Sequence, residues 1–344
     1  MNLLRRVFFK YSVASAAVLL FLSLTPAYGA PMDEIKFVDV DGVRTGYFEG
    51  GSGEAMVLVH GGGFGSTAHY SNNWRSIFDY LASDFHVYAI DKLGQGHTDN
   101  PQRDADYSMM AVTQHIYRFM ETVGIQKVHL VGHSRGALPA VRIAVDHPDM
   151  IQTLIIFDSN TLAPDDPNAP RRRAPAATQR PAPPPVPTKE SIRQFWSSLS
   201  HRQEFITDEF IEAEFQISQL PKFREATEKM ASLAAEWAKR NPEKIKENPR
   251  MAGRWWYDEM KRETFVRLKA GRFQKPTLII WGFNDPGASY TLGITLYEIF
   301  SAVVDRTELH LFNQCMHYGF LEYPREFSDV MGSFIRNAKE GMTN

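Results

Sequence analysis

Apolar and polar residues follow two patterns that alternate over most of this chain. The first is a short, mostly apolar run typical of a buried strand, found at residues 55–59, 86–90, 127–131, 149–158 and 276–281, and residues 307–312 alternate between polar and apolar as a further strand. The second places apolar residues three or four apart, and residues 111–124 show it most clearly, predicting a helix that covers a sheet. A first hairpin is predicted at 37–47, where Asp41 and Gly42 separate two alternating runs. Strand–helix alternation of this kind predicts a mostly parallel sheet with helices on both faces.

The alternation stops between residues 160 and 272. Residues 161–188 contain nine prolines, which exclude a helix or a central strand and indicate a linker. Four helical patterns follow, at residues 189–200, 207–219, 221–240 and 242–269. The predicted divisions are a leader at 1–29, a first core segment at 30–159, a proline-rich linker with a helical insertion at 160–272, and a second core segment at 273–344. The insertion falls between the sixth and seventh predicted strands.

The most informative short motif is Gly132-His133-Ser134-Arg135-Gly136, which reads G-x-S-x-G. A strand pattern precedes it and an apolar helical run follows it, so the serine falls at a sharp strand-to-helix turn. The glycines two residues on either side leave room for that turn, which lifts the serine hydroxyl above the edge of the sheet. This context predicts a nucleophile elbow with Ser134 as the nucleophile.

A serine nucleophile needs a base within hydrogen-bond reach and an acid that orients the base. Asp285 follows the penultimate strand and His317 lies in the loop after the last strand, which gives the chain order Ser, Asp, His. Asp158 also ends a strand and is a rival for the acid, but the G-x-x-D context favours Asp285. His97 lies in a glycine-punctuated loop and is the weaker candidate for the base.

A glycine-rich loop, His60-Gly61-Gly62-Gly63-Phe64-Gly65, follows the strand at 55–59. Glycines allow backbone N–H groups to approach a developing oxyanion without interference from side chains. The expected donors of this oxyanion hole are the N–H of Arg135 and one N–H from Gly61, Gly62 or Gly63. A phosphate-binding loop would read G-x-x-x-x-G-K-[ST], or G-x-G-x-x-G at the start of a helix, and the loop has neither pattern.

Together these motifs resemble the α/β-hydrolase superfamily over about residues 35–338. Within it the chain most resembles the meta-cleavage-product hydrolases, which split C–C bonds in ring-fission products. The resemblance rests on the glycine-rich loop, on Ser71-Asn72 and on the Val131-Gly132-His133-Ser134 elbow. It implies the α/β-hydrolase fold, with a mostly parallel sheet flanked by helices and the insertion as a cap. It also implies that the substrate pocket includes Phe64, Asn72, His133 and Tyr318.

Three positions depart from the pattern of the C–C hydrolases. His133 stands where that family usually has Asn, and Tyr318 stands where it usually has Trp. Glu214 stands about where the family has a cap-helix Arg that helps bind the acidic dienone substrate, and an anion there would repel an acid. These departures favour hydrolysis of carboxylic esters through an acyl-enzyme, with C–C cleavage as the alternative. A non-catalytic binding protein on a hydrolase scaffold is the remote alternative, since it would require a damaged site.

The first 29 residues have the pattern of an export signal. Arg5, Arg6 and Lys10 form a basic region, residues 13–24 are apolar, and Ala27-Tyr28-Gly29 is a small-x-small cleavage signal. The paired arginines resemble the twin-arginine motif without its usual preceding Ser or Thr, so general secretion and a retained N-terminal anchor are alternatives. We expect a bacterial protein exported to the periplasm or the medium, with no stable membrane anchor after cleavage.

Charge and cysteine usage narrow the choice of partners. Loss of the leader removes three positive charges and takes the formal net charge from −2 to −5, which argues against nucleic acid. The single cysteine, Cys315, cannot form an internal disulfide; we expect it to be a buried small hydrophobe, with no cluster of metal ligands around it. The expected substrate is a small-molecule ester, and neither a metal nor a cofactor is expected.

Overall fold

The computed structural model describes residues 34–164 and 186–340, and an eight-stranded sheet forms its centre. The strands are β1 (Lys36–Val40), β2 (Val43–Gly51), β3 (Ala55–Val59), β4 (His86–Ile90), β5 (Val128–His133), β6 (Ile151–Phe157), β7 (Thr277–Gly282) and β8 (Thr307–Phe312). Their order across the sheet is β1-β2-β4-β3-β5-β6-β7-β8. The β1–β2 and β2–β4 pairs are antiparallel, and the other pairs are parallel. The predicted mostly parallel α/β-hydrolase sheet is therefore confirmed.

The predicted first hairpin is present, with Asp41 and Gly42 as its two-residue turn. Their φ angles are 51° and 85°, and a type I′ turn requires positive values at both positions. The Asp39 carboxylate accepts the Gly42 N–H at 2.9 Å, which stabilises the turn from within the hairpin. This antiparallel ribbon forms one edge of the sheet, away from the parallel strands that end near the site.

Helices cover both faces of the sheet. Within the described residues they are α1 (Arg75–Ala82), α2 (Met109–Thr122), α3 (Ala137–Asp146), α4 (Lys189–Ser197), α5 (Asp208–Ser218), α6 (Pro221–Arg240), α7 (Pro242–Glu247), α8 (Asp258–Lys269), α9 (Tyr290–Ser301), α10 (Gly319–Glu322) and α11 (Pro324–Glu340). One apolar cluster joins α2, α3, α8 and α9 to one face, and a second joins α1, α4, α5 and α11 to the other. The central strands are almost completely buried between these layers, as their continuous apolar sequences predict.

The described part of the helical insertion consists of α4 to α8, which lie between β6 and β7 as predicted. The single helix predicted over 242–269 is wrong, because α7, a 3₁₀ turn at Pro249–Gly253 and α8 replace it. Pro249 has no N–H with which to continue α7, and it holds Asn248 in an extended conformation that ends the helix.

Two sequence predictions concern residues outside the described ranges. These are the leader at 1–29 and most of the proline-rich linker, and both stay predictions. Within the ranges that are described, no helix is both long and apolar enough to cross a membrane.

Candidate active site

Ser134 stands at the sharp turn between β5 and α3. Its φ angle is 52°, a left-handed value that non-glycine residues rarely adopt and that is found at strained functional turns. The glycines on either side are needed for close packing. A Cβ on Gly132 would lie 2.6 Å from Ala137 Cα, and a Cβ on Gly136 would lie 2.4 Å from the carbonyl oxygen of His60. The geometry is that of the predicted nucleophile elbow.

Asp285, His317 and Ser134 form a continuous hydrogen-bonded chain. Nδ1 of His317 lies 2.6 Å from Oδ2 of Asp285, and Nε2 lies 3.1 Å from Oγ of Ser134. An ionised carboxylate only accepts, so the proton lies on Nδ1 and Nε2 is free to accept the serine hydroxyl proton. Asp285 and His317 are both buried, which keeps bulk water away from this pair. The structure thus brings together the three residues predicted as a triad.

Backbone contacts fix the two loops that carry the acid and the base. The Asp285 Oδ1 oxygen accepts the Gly287 N–H at 2.7 Å, which leaves Oδ2 directed at His317. The Asn284 N–H donates to the Cys315 carbonyl at 2.9 Å, so the loops after β7 and β8 are joined. Cys315 itself is fully buried, as predicted, and burial raises the pKa of its thiol.

Asp158, the rival for the acid, has a different partner. It lies at the end of β6 with both carboxyl oxygens directed at the Gly282 N–H, at 3.0 and 3.3 Å. Burial first, and then the neighbouring charge of Asp285, raise its pKa well above the usual value for a carboxyl group. Asp158 therefore supports the end of β7, and it is Asp285 that hydrogen-bonds to His317.

The predicted oxyanion loop lies directly beside the nucleophile. A Cβ on Gly61 would stand 3.0 Å from Ser134 Cβ, so only glycine leaves this approach open. Gly62 has a φ angle of 70°, and a Cβ there would lie 2.5 Å from the side chain of His69. A Cβ on Gly63 would lie 3.3 Å from the Arg135 guanidinium. The structure thus places the predicted donors around Ser134, and their binding of an oxyanion stays a prediction.

His60 and Lys92 hold this loop from the inside, and sequence patterns did not assign either residue a role. Nδ1 of His60 lies 2.8 Å from the Gly61 carbonyl oxygen, and Nζ of Lys92 donates to the Gly62 carbonyl oxygen at 3.0 Å. Burial lowers the pKa of His60 to about 3 and that of Lys92 well below its ordinary value. The one available signal was the position of Lys92 just after β4, at the carboxyl end of a parallel strand, where sites usually form.

His69 was also missed, because its loop carries no recognisable pattern. Its Nδ1 lies 2.7 Å from Oγ of Ser66, and its Nε2 lies 2.8 Å from the hydroxyl of Tyr318. Burial is the main cause that lowers its pKa well below the ordinary value for histidine, so the ring is neutral at pH 7. His69 therefore links the oxyanion loop to the residue that follows His317.

The four predicted pocket residues differ in their accessibility. Phe64 and Asn72 are partly exposed; Phe64 packs on Trp256, and Asn72 Nδ2 donates to the Tyr70 hydroxyl at 3.1 Å. His133 and Tyr318, by contrast, are buried. Nε2 of His133 donates to the His317 carbonyl oxygen at 3.0 Å, and burial lowers the pKa of His133 well below the ordinary value. This burial favours a supporting role over substrate contact for His133 and Tyr318.

Glu214 does not behave as the fixed anion expected from the sequence. It lies on α5 with 1% of its surface exposed, and burial raises its pKa to about 8. The Tyr70 hydroxyl and the Trp196 indole oppose this shift, but neither carboxyl oxygen has a hydrogen bond of normal geometry among the described residues. At pH 7 the group is mostly protonated. The expectation that Glu214 repels an acidic substrate is therefore corrected.

Arg135 brings a positive charge to the same side of the loop as Trp256. Its side chain is partly buried, and its guanidinium carbon lies 5.9 Å from the centroid of the Trp256 ring. Among the described residues no carboxylate forms an ion pair with it. A half-buried guanidinium without an acidic partner, next to the nucleophile, is suited to binding an anionic group of a ligand.

Comparison with known proteins agrees with this architecture. The sequence profile of the family described as "alpha/beta hydrolase fold" matches residues 54–324. A 2-hydroxy-6-oxo-6-(2'-aminophenyl)hexa-2,4-dienoic acid hydrolase from Metapseudomonas resinovorans is 26% identical over 301 residues, which are 87% of this chain and 90% of that protein. A 2-hydroxymuconate semialdehyde hydrolase from Pseudomonas sp. strain CF600 is 26% identical over 86% of this chain and 92% of its own length.

Solved structures give the same result for the fold. A serine hydrolase involved in carbazole degradation superposes with a TM-score of 0.65 at 24% identity, covering 88% of this chain and 98% of that one. The match of the family profile extends from β3 to the start of α11 and includes Ser134, Asp285 and His317. This chain belongs to the alpha/beta hydrolase family, and its relatives include meta-cleavage-product hydrolases.

Proposed function

We propose that this enzyme is a serine hydrolase in which Ser134 attacks a substrate carbonyl. The observation that carries the proposal is the Asp285–His317–Ser134 hydrogen-bond chain beside a glycine-rich loop. His317 takes the serine proton through Nε2 and returns it to the leaving group, while Asp285 stabilises the imidazolium that forms. Water then attacks the acyl-enzyme by the same route in reverse. The N–H groups of Arg135 and of the glycine loop stabilise the negative oxygen of each tetrahedral intermediate.

The proposed bond is the C–C bond next to a ketone in a 2-hydroxy-6-oxo-dienoic acid. The relatives that align with most of this chain are named for such acids or for a related semialdehyde. In this reaction the dienol first tautomerises to its ketone, and Ser134 then adds to the carbonyl carbon of the 6-oxo group. The C–C bond to the acid fragment breaks with its electron pair delocalised into the conjugated ketone of that fragment. The departing carbon takes its proton from the His317 imidazolium. This order of preference reverses the one drawn from the sequence.

Two features of the site support an acidic substrate. Glu214 is mostly protonated at neutral pH, so it does not repel an acid. Arg135 supplies a guanidinium without an acidic partner among the described residues, beside the nucleophile. A bidentate bond from Arg135 to a substrate carboxylate would serve in place of the cap-helix Arg that is absent at Glu214.

The helical insertion is proposed to act as a cap over Ser134. Trp256 would contact a Cβ on Gly63 at 3.1 Å, and Thr227 would contact a Cβ on Gly65 at 2.2 Å, so the insertion packs directly on the oxyanion loop. The Leu199 carbonyl also accepts the His317 N–H at 3.1 Å. A cover of this kind excludes water from the acyl-enzyme and shapes the substrate pocket.

Hydrolysis of carboxylic esters is the second candidate. It is favoured by His133 and Tyr318, which replace the usual Asn and Trp of the C–C hydrolases and are built into the hydrogen bonds around His317 and His69. The export signal expected in the first 29 residues also favours it, because ring-fission products arise inside the cell. Ester hydrolysis requires no group beyond the triad and the oxyanion donors.

One pair of assays separates the two candidates. Purified enzyme is given 2-hydroxy-6-oxo-6-phenylhexa-2,4-dienoate, whose dienolate absorbance disappears on cleavage, and in parallel a series of p-nitrophenyl esters. The proposal predicts a higher kcat/KM on the dienoate and release of benzoate. A higher kcat/KM on the esters, with no benzoate from the dienoate, would select the second candidate. Failure of a fluorophosphonate probe to label Ser134 would contradict both.

A further inference from the structure

Lys92 is a buried lysine that the reaction described above does not use. Its side chain is 2% exposed, and among the described residues no carboxylate forms an ion pair with it. The adjacent Asp91 carboxylate is directed elsewhere, to the Ser71 N–H at 2.6 Å and to His97. Burying a lysine amine without a counter-ion is costly, so a specific contact must account for it. That contact is the Gly62 carbonyl oxygen, at 3.0 Å from Nζ.

The Gly62 carbonyl and the Gly63 N–H belong to one planar peptide unit and point in opposite directions. Holding the carbonyl on the Lys92 side therefore directs the Gly63 N–H to the opposite side of the loop. Donation to a carbonyl oxygen also polarises its peptide, which makes the N–H of the same unit a stronger donor.

The Gly61–Gly62 peptide unit is held in a similar way. A carbonyl only accepts, so the proton on His60 lies on Nδ1 and is donated to the Gly61 carbonyl oxygen. The other ring nitrogen, Nε2, accepts the backbone N–H of Lys92 at 3.2 Å. Two consecutive carbonyls of the loop are thus fixed from the inside by His60 and Lys92. This arrangement preorganises the N–H groups of Gly62 and Gly63 before any substrate binds.

We propose that Lys92 is a positioning residue for the oxyanion hole: its side-chain N–H donor orients and polarises the Gly62–Gly63 peptide, so that the Gly63 N–H binds the tetrahedral oxyanion. The proposal rests on the proposed serine-hydrolase function. The contact is expected to stabilise the transition state and not the bound ground state. Loss of the Lys92 donor should weaken the binding of a tetrahedral adduct and leave the binding of a planar product unchanged.

The first test measures the affinity of two ligands for the wild-type enzyme and for the Lys92→Met variant. Methionine keeps a long unbranched side chain but removes the hydrogen-bond donor. Phenylboronic acid forms a tetrahedral adduct with Ser134, whereas benzoate binds as a planar ground-state ligand. The variant should lose about tenfold or more in kcat/KM and the same factor in affinity for phenylboronic acid, with benzoate affinity unchanged. Equal loss for both ligands, or for neither, would overturn the proposal.

Lys222→Met is the matched control. Lys222 is a half-buried lysine that also donates to backbone carbonyls, namely those of Gln95, Gly96 and Thr98, and these lie outside the oxyanion loop. This control should lower the thermal midpoint as Lys92→Met does, yet keep the ratio of phenylboronic acid to benzoate affinity. The same change of ratio in both variants would show a general loss of packing and overturn the proposal.

A second measurement needs no variant, which matters if Lys92→Met fails to fold. Enzyme labelled with carbonyl-¹³C and ¹⁵N glycine gives correlated amide signals only where glycine follows glycine, at Gly51, Gly62 and Gly63. Phenylboronic acid should move the Gly63 amide proton downfield and leave Gly51 unmoved. An unresponsive Gly63 signal would overturn the proposal. Wild-type enzyme that fails to react with fluorophosphonate would instead overturn the underlying serine-hydrolase function, and the inference with it.

Discussion

Asp158 and Asp285 occupy the ends of neighbouring parallel strands, yet only Asp285 hydrogen-bonds to His317. Asp158 is directed at the Gly282 N–H and has a pKa raised well above the usual value. One carboxyl group is therefore the partner of the base, and the other supports the strand that carries it. The pair offers a matched comparison within one site.

Asp285→Asn should lower kcat by about 10⁴, because an amide favours the wrong tautomer of His317 and cannot stabilise its cation. Asp158→Asn should leave kcat nearly unchanged, since an amide oxygen still accepts the Gly282 N–H. Steady-state rates of the two variants on one substrate give the comparison. If Asp158→Asn were crippling and Asp285→Asn mild, the assignment of the acid would be wrong.

Ser134→Ala should abolish turnover, with a loss on the order of 10⁶ in kcat, because no other group described in the site replaces the nucleophile. The fold should be retained, because alanine only removes the hydroxyl group and leaves the close contacts at the flanking glycines unchanged. Circular dichroism and the thermal midpoint check the fold, and the rate is followed on the best substrate of the panel. Residual activity within tenfold of wild type would contradict the triad.

The triad could be predicted from the sequence because each member follows a strand whose apolar run is easily recognised. Strands β3, β4 and β8 begin and end at the residues that the patterns predict. In a parallel sheet the carboxyl ends of the strands meet at one edge, so Ser134, Asp285 and His317 converge once the strand order is known. Local sequence therefore contained most of the catalytic geometry.

The supporting residues could not be predicted, because their roles depend on packing between distant segments. His69 and Tyr318 are 249 positions apart and meet only in the folded chain. The protonation of Glu214 depends on the burial of its side chain on α5, which residue type alone does not reveal. The break after α7 shows the opposite case, where the local signal of Pro249 is present in the sequence and prevails over the helical spacing around it.

Arg135→Met tests the preference for an acidic substrate, because methionine keeps a long side chain but removes the guanidinium. Hydrogen bonds to charged groups contribute about 1.5–3 kcal/mol, so KM for a carboxylate-bearing substrate should rise roughly 10- to 100-fold. KM for p-nitrophenyl acetate, which has no carboxylate, should change far less. For the carboxylate-bearing substrate, KM of Arg135→Lys should lie between the values of wild type and Arg135→Met, because a single ammonium cannot form the bidentate bond.

A matched control for Arg135→Met is Arg262→Met, an arginine that is largely exposed on α8. This change should leave both KM values unaltered, since it removes the same charge at a distance from Ser134. An equal rise of KM on acidic and neutral substrates in Arg135→Met would indicate that the side chain only packs against Trp256.

Glu214→Gln should change how stability depends on pH. The folded-state pKa of Glu214 is about 8, above the ordinary value of 4.5, so the folded protein holds this proton more tightly than the unfolded chain does. Its contribution to stability is therefore present at low pH and is lost as pH rises from about 4.5 to about 8. Each unit of difference in pKa corresponds to about 1.4 kcal/mol, so the total loss is on the order of several kcal/mol.

Glutamine cannot ionise, so the variant should gain stability relative to wild type as pH increases through this window and show no further gain above it. Urea unfolding at pH 5, 6.5 and 8 measures the difference. Glu209→Gln, at an exposed position on the same helix, is the control and should show no such trend. Parallel pH profiles for wild type and Glu214→Gln would mean that the carboxyl group is already ionised at neutral pH. The site would then carry the negative charge that the sequence first suggested, and the argument for an acidic substrate would depend on Arg135 alone.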